Sequence, residues 1–442
     1  MWINIKCKLK KVVMTKMCCV FKIWIKILKR ISRLTLNEVA WISLTSLSIL
    51  LIWTWINGET KVIKYGDNPV IMWWTSGFPG TSETIHCPNN LKCDFIKDKN
   101  YNDVLNVNAY LFYASNIKFD DLPLPRNPNK ILWGLYHEES PRNVEELLHE
   151  KTLSLFNYSA TFSRYSDIPF PLQYLESLHD ITSTKYFKPT KVKTKLLNEI
   201  SPILYLQSDC ETATERDTYV KELMKFIEID SYGICLNNKE MPMKFQEDYL
   251  NNLNDDDFLN YISRYKFVLA IENGVCEDYV TEKFWRAIKI GTVPIYFGST
   301  TIKDWLPNNK SAILLEDFPT PKRMSDHLKK LLNNDSLYEE YLTHKTKEEI
   351  TNKRLIDEFK TRQYQKDALE VALKFECFIC GKLHNNNLGT QVKRVVSKKH
   401  YNCPKPISAL TLQVNPSNDW VYSWEMAKKK ADDIYEKVIN FK

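Results

Sequence analysis

The stretch Arg264–Gly298, RYKFVLAIENGVCEDYVTEKFWRAIKIGTVPIYFG, places two short apolar runs around a polar loop and a helical segment. Phe267–Ile271 and Val293–Phe297 have the composition of strands buried on both faces. Between them Thr281 is a helix-starting residue and Gly291 a helix stop, so the order is strand, loop, helix, strand. That order predicts a parallel sheet, in which ligands bind beyond the carboxyl ends of the strands and a helix start offers unpaired N–H groups to an anion. Glu282 and Lys283 stand in the first helical turn. A carboxylate there accepts hydroxyl donors, and the ammonium meets a diphosphate as a point charge. A solvated charge pair on an amphipathic helix is the competing reading.

Outward from this stretch, Ile203–Gln207 is a strand run followed by SDCETATER, and Ile131–Leu135 is one that ends in YHEESPRN. Val70–Trp74, Ala109–Tyr113 and Ile313–Leu315 read as further strands, with helices near Thr218–Glu228 and Pro321–Leu332. Strands alternating with helices predict an α/β fold, and 442 residues exceed what one compact core holds, so two similar domains with appendages are expected.

The strings ENGVCEDYVTEKFWRA and GTVPIYFG resemble the donor-binding signature of the alpha-1,3-fucosyltransferase family, glycosyltransferase family 10. The likeness runs over about residues 69–405, and HEESP, FSRYSD and IDSYGICLNN are closest to the fucosyltransferase 10 and 11 subgroup. It implies a GT-B fold, two Rossmann-like domains facing a cleft, with GDP-fucose as donor substrate, no metal and no other cofactor. By position it assigns Asn273, Tyr279, Glu282 and Lys283 to the donor, together with Ser208 and Arg216 from the upstream segment. Asp209 stands where the family usually has Asn. In YHEESPRN the resemblance makes Glu139 the general base, with Glu138 as its rival. An inverting sugar transfer needs one carboxylate to deprotonate the acceptor hydroxyl while cations hold the leaving diphosphate. The implied acceptor is a hydroxyl of a glycan, in an alpha-1,3 linkage to N-acetylglucosamine, or of a Ser or Thr in a secretory-pathway protein.

Residues 39–58 form an uncharged run long enough to span a bilayer, and residues 1–33 carry ten Lys or Arg and no acid. This predicts a single-pass type II anchor in the Golgi or endoplasmic reticulum membrane, with the catalytic part lumenal. The expected organisation is a cytosolic tail 1–38, an anchor 39–58 and a short stem 59–68. An acceptor-side domain 69–194, a donor-side domain 195–365 and a C-terminal extension 366–442 follow. The net charge of +7 belongs to the tail, since residues 59–442 sum to −2, so no nucleic-acid partner is indicated.

Eight of the eleven cysteines follow the anchor, an even number suited to disulfides in an oxidising compartment. Cys87 with Cys93 is the expected local pair, and Cys377 and Cys380 form a terminal CxxC that is expected to be disulfide-bonded. The competing reading puts zinc on Cys377, Cys380 and His384 with His400 and Cys403. Asn157, Asn309 and Asn334 head N-x-S sequons. Trp73 and Trp74 are candidates to line an acceptor groove.

Two rival functions are compatible with the sequence. Asp255-Asp256-Asp257 satisfies the DxD pattern of metal-dependent glycosyltransferases, although its acids fit a helix start. A lumenal nucleotide-sugar or glycoprotein-binding quality-control protein without turnover is the non-enzyme alternative. GxGxxG, Walker A and HExxH motifs are absent from the sequence.

Overall fold

The computed structural model describes residues 68–441 apart from 78–81, 98, 100–106, 247–252, 362–367 and 386–393. The expected tail and anchor lie outside the described residues, and among the described ones no helix is long and apolar enough to cross a membrane. Residues 67–246 and 255–442 form one compact unit that holds two sheets.

The first sheet has six strands: β1 (Val70–Trp73), β2 (Glu83–Cys87), β3 (Leu91–Ile96), β4 (Val107–Tyr113), β5 (Leu132–His137) and β6 (Tyr158–Thr161). Their spatial order is β2-β3-β1-β4-β5-β6, parallel throughout except for the antiparallel β2–β3 edge. β4 and β5 are near-continuous apolar runs because a strand covered on both faces has no solvent side to mark with polar residues.

The second sheet contains β7 (Ile203–Gln207), β8 (Ile229–Gly233), β9 (Phe267–Ile271), β10 (Val293–Phe297) and β11 (Ile313–Leu314) in the order β11-β10-β9-β7-β8, all parallel. The chain reverses direction across this sheet between β7 and β9, and the crevice beyond their carboxyl ends is where an open α/β sheet binds a ligand.

The helices that position the site are α1 (Arg216–Leu223), α2 (Asp256–Ile262), α3 (Glu282–Ile290), α4 (Pro321–Leu332), α5 (Ala368–Asn385) and α6 (Asp419–Ile439). α3 starts at Thr281, whose side chain caps it, and stops at Gly291, held at φ 66° where a side chain would be strained. Phe284, Ala287 and Ile288 recur at helical spacing, and Phe284 and Ile288 pack with Tyr296 and Trp305 in one core.

α5 closes the first sheet. Val371, Phe375, Ile379 and Leu383 lie on one helical face against Ile71, Phe95 and Leu111. The same core takes in Trp73, which is buried with its indole N–H on Glu376 at 2.6 Å, so it packs the interior and does not line a groove. Trp74 is only half-buried and donates to the Asp121 carbonyl.

The local pair Cys87–Cys93 does not form. Cys87 bonds Cys377 and Cys93 bonds Cys380, while Cys210–Cys235 and Cys276–Cys403 complete the set. In the β2–β3 hairpin Cys87 faces Leu91 and Cys93 faces Ile85, two rungs apart on one side of the ladder. The i, i+3 cysteines of α5 present a matching pair to that side. Zinc is displaced by the same finding, because Cys377, Cys380 and Cys403 are in disulfides, His384 bonds the Lys92 carbonyl and His400 bonds Ser159.

Candidate active site

Both sheets direct their carboxyl ends into one cleft, and the second supplies most of the charge. After β7 come Ser208 and Asp209, and α1 opens with Arg216 following Glu215 at φ 50°. The Arg216 guanidinium is fully buried, donating to Asn273 Oδ1 at 2.6 Å, to the Ile271 carbonyl at 3.2 Å and to the Asp209 carbonyl. It therefore ties together the two loops that flank the reversal point, with Asn273 as its side-chain acceptor. Ser208 lies half-buried at the end of β7.

Glu272, which the sequence left unassigned, lies wholly buried behind the start of α3. It accepts the Thr281 N–H at 2.8 Å and the Thr281 hydroxyl at 2.7 Å. Burial pushes its carboxyl up to about 7 despite the nearby Lys283 ammonium. Lys283 Nζ lies 3.1 Å from Thr281 Oγ1, 3.2 Å from Glu282 Oε1 and 3.7 Å from Glu272 Oε2. Burial would lift Glu282, but Lys283 and Arg286 overcome it and hold that carboxylate down at about 2.

From the first sheet, Glu138 and Glu139 follow β5. Glu139 Oε2 accepts the Tyr279 hydroxyl at 2.8 Å, so the acid and the tyrosine named from separate sequence strings meet across the cleft. Tyr279 is buried against the Phe162 ring at 5.0 Å, and burial together with the Glu139 charge keeps its phenol protonated. Glu138 turns to Tyr113 at the end of β4, and burial raises its carboxyl to about 7 although that hydrogen bond opposes the shift. Tyr174, which no motif marked, packs against the core that holds Phe284 and Trp285. Its phenol is raised well above its usual range by burial and by the charges of Glu139, Glu282, Glu138 and Glu272.

Two further contacts lock the faces of the cleft. Arg142 reaches Asp209 at 2.6 Å, giving a partner to the residue that departs from the family's Asn. Arg164 Nε and its backbone N–H donate to buried Asp278 at 2.8 and 2.9 Å, and Arg164 also meets Asp304 at 2.8 Å. Asp278 sits at φ 61° immediately before Tyr279, so this pin sets the loop that carries the tyrosine. Neither arginine stood out in the sequence, because their partners are 67 and 114 residues away.

The acids of the DxD string form a helix start: Asp255 caps α2 by accepting the Asp257 N–H, and Asp256 is held by Lys185 and Tyr186. Among the sequons, Asn309 and Asn334 are exposed. Asn157 is buried, taking the Trp133 N–H at 2.9 Å and donating Nδ2 to the Arg394 carbonyl at 3.1 Å, so a glycan on it has no exit from this fold.

Comparison with known proteins agrees with the motifs. Residues 46–173 match the family model "Fucosyltransferase, N-terminal", and residues 193–399 match "Glycosyltransferase family 10 (fucosyltransferase) C-term". GDP-fucose protein O-fucosyltransferase 3 of Gallus gallus is 39% identical over 82% of this chain and 78% of its own length. The Homo sapiens protein of that name gives the same figures. Alpha-(1,3)-fucosyltransferase B of Drosophila melanogaster is 39% identical over 89% of this chain and 90% of its own. A crystal structure of an alpha1,3-fucosyltransferase with GDP is 16% identical at a TM-score of 0.40, covering 70% of this chain and 94% of that one. With relatives this similar over more than four fifths of its length, this chain belongs to glycosyltransferase family 10 and is a fucosyltransferase.

Proposed function

We propose that this enzyme moves L-fucose from GDP-β-L-fucose to a Ser or Thr hydroxyl of a secretory-pathway protein, inverting the anomeric carbon in one displacement. The observation that carries this reading is the 2.8 Å hydrogen bond between Glu139 and Tyr279, which sets the base against the donor loop. Glu139 takes the proton of the acceptor hydroxyl as that oxygen bonds C1 of fucose. The electron pair of the breaking C1–O bond leaves with the β-phosphate, giving an α-linked product and GDP. Lys283 at the start of α3 meets the growing charge on the diphosphate, and Arg216 holds Asn273 and the flanking loop beneath it. Ser208, Tyr279 and Glu282 complete the donor side. The charge on the leaving group is met in this scheme by protein cations without a metal.

The acceptor assignment is supported by the relatives named protein O-fucosyltransferase. The fly relative, an alpha-(1,3)-fucosyltransferase by name, favours a second reading in which N-acetylglucosamine of a glycan is the acceptor. The chain would be anchored by residues 39–58 with residues 69–194 on the acceptor side and 195–365 on the donor side. The four disulfides among the described residues suit a Golgi or endoplasmic reticulum lumen. Incubating the purified full chain with labelled GDP-fucose and a panel of folded cysteine-rich domains and N-acetylglucosamine glycans tests both readings. Label on a Ser or Thr supports the first, label on the glycan the second, and label on neither class refutes both acceptor assignments.

A further inference from the structure

The transfer chemistry leaves the buried carboxylate of Glu272 unused. Glu272 follows the tip of β9 with the Thr281 N–H on Oε1 and the Thr281 hydroxyl on Oε2, and Oε2 also lies 3.7 Å from the Lys283 ammonium. It has no room to retreat, because Gly298 packs behind it and a Cβ there would lie 2.5 Å from Glu272 Cγ. A threonine hydroxyl has one hydrogen and two lone pairs. Once its hydrogen is given to Glu272, only acceptor capacity remains, and Lys283 uses it twice, through its backbone N–H at 3.4 Å and its ammonium at 3.1 Å. The carboxylate thus sets the direction of the hydroxyl, and the hydroxyl sets the place of the cation.

We propose that Glu272 is a positioning residue of the donor site: through Thr281 it holds the Lys283 ammonium at the start of α3, where the diphosphate of the sugar nucleotide docks. This rests on the assignment of Lys283 to the donor. Glu272→Gln keeps the shape but offers one accepting oxygen where two are needed, so one of the two Thr281 donors faces an NH2 group and the hydroxyl is free to turn toward Lys283.

Calorimetry of GDP-fucose binding to the full chain at about pH 8, above the raised Glu272 value of about 7 so that both its oxygens accept, tests the proposal. Glu272→Gln should raise the Kd about tenfold, as expected for one charge-assisted hydrogen bond. In a Lys283→Ala background the same substitution should add no further loss, because the effect passes through that ammonium. A residue that merely supports the fold would give equal losses in both backgrounds. Thr281→Val should reproduce the weakening and Thr281→Ser should restore binding, which keeps the test decisive if Glu272→Gln fails to fold. Unchanged affinity in Glu272→Gln or Thr281→Val, or additivity with Lys283→Ala, overturns the positioning role alone. A wild-type chain that does not bind GDP-fucose overturns the donor assignment and this role with it.

Discussion

Glu138 and Glu139 leave the same strand side by side, yet Tyr113 takes the first and Tyr279 the second. Only the second stands against the donor loop, so Glu139→Gln is expected to cut turnover by about 10²–10⁴-fold, the usual worth of a positioned base. GDP affinity should stay within twofold or so, and a variant with full turnover would return the role to Glu138. Glu272 makes a pH prediction of definite sign. Its carboxyl is raised from 4.5 to about 7, so between those values the folded protein holds a proton that the unfolded chain has released. The stability it contributes is complete below the lower value and lost as pH rises through the upper one. Thermal unfolding of wild type and Glu272→Gln should therefore show the wild type's relative advantage shrinking from pH 5 to pH 8; a constant difference would mean that the group is not shifted. The sequence made Glu139 and the 273–283 residues legible because short strings carry them. Glu272 and Arg164 stayed hidden: the first reads as the polar end of an apolar run until its burial is seen, and the second finds Asp278 114 residues away.

At the scale of elements, Ile203–Gln207, Phe267–Ile271, Val293–Phe297 and Pro321–Leu332 were readable to the residue. Their apolar runs or helical periods are bounded by clear stops. β2, β3, β6 and β8 were not, because ETIHC and LKCDFI mix charges into the hairpin at one end of the sheet and YSAT and IDSYG are short and partly polar. The cysteine pairing failed for a related reason: proximity in sequence favoured Cys87–Cys93, while the ladder register turned both toward α5. The cross-link Cys93–Cys380 closes a loop of 287 residues. Replacing both cysteines by serine is expected to lower unfolding stability by about 2–5 kcal/mol, read from denaturant midpoints. No change in midpoint would show that the core contacts of α5 suffice without it.

For the whole molecule, ion pairs and hydrogen bonds such as Arg142–Asp209, Glu139–Tyr279 and Arg164–Asp278 join the loops of its two sheets. Arg164–Asp278 is the best shielded of these, with side chains 8% and 0% exposed. Arg164→Ala leaves Asp278 buried with its main cation gone, and the expected loss is about 3–5 kcal/mol with a lower thermal midpoint. An unaltered midpoint would mean that Thr301 and Trp305, which also bond Asp278, carry the carboxylate alone.

The C-terminal segment is bound into both halves: α5 fills the face of the first sheet, Cys403 is joined to Cys276, and Ala409 and Asn418 bond the backbone of the 213–214 loop. A ribosome completes the first sheet at Thr161, about two hundred residues before the helix that covers it begins at Ala368. The sheet face that α5 covers stays open until then, so the packing of that face and the closure of Cys87–Cys377 and Cys93–Cys380 follow the synthesis of α5.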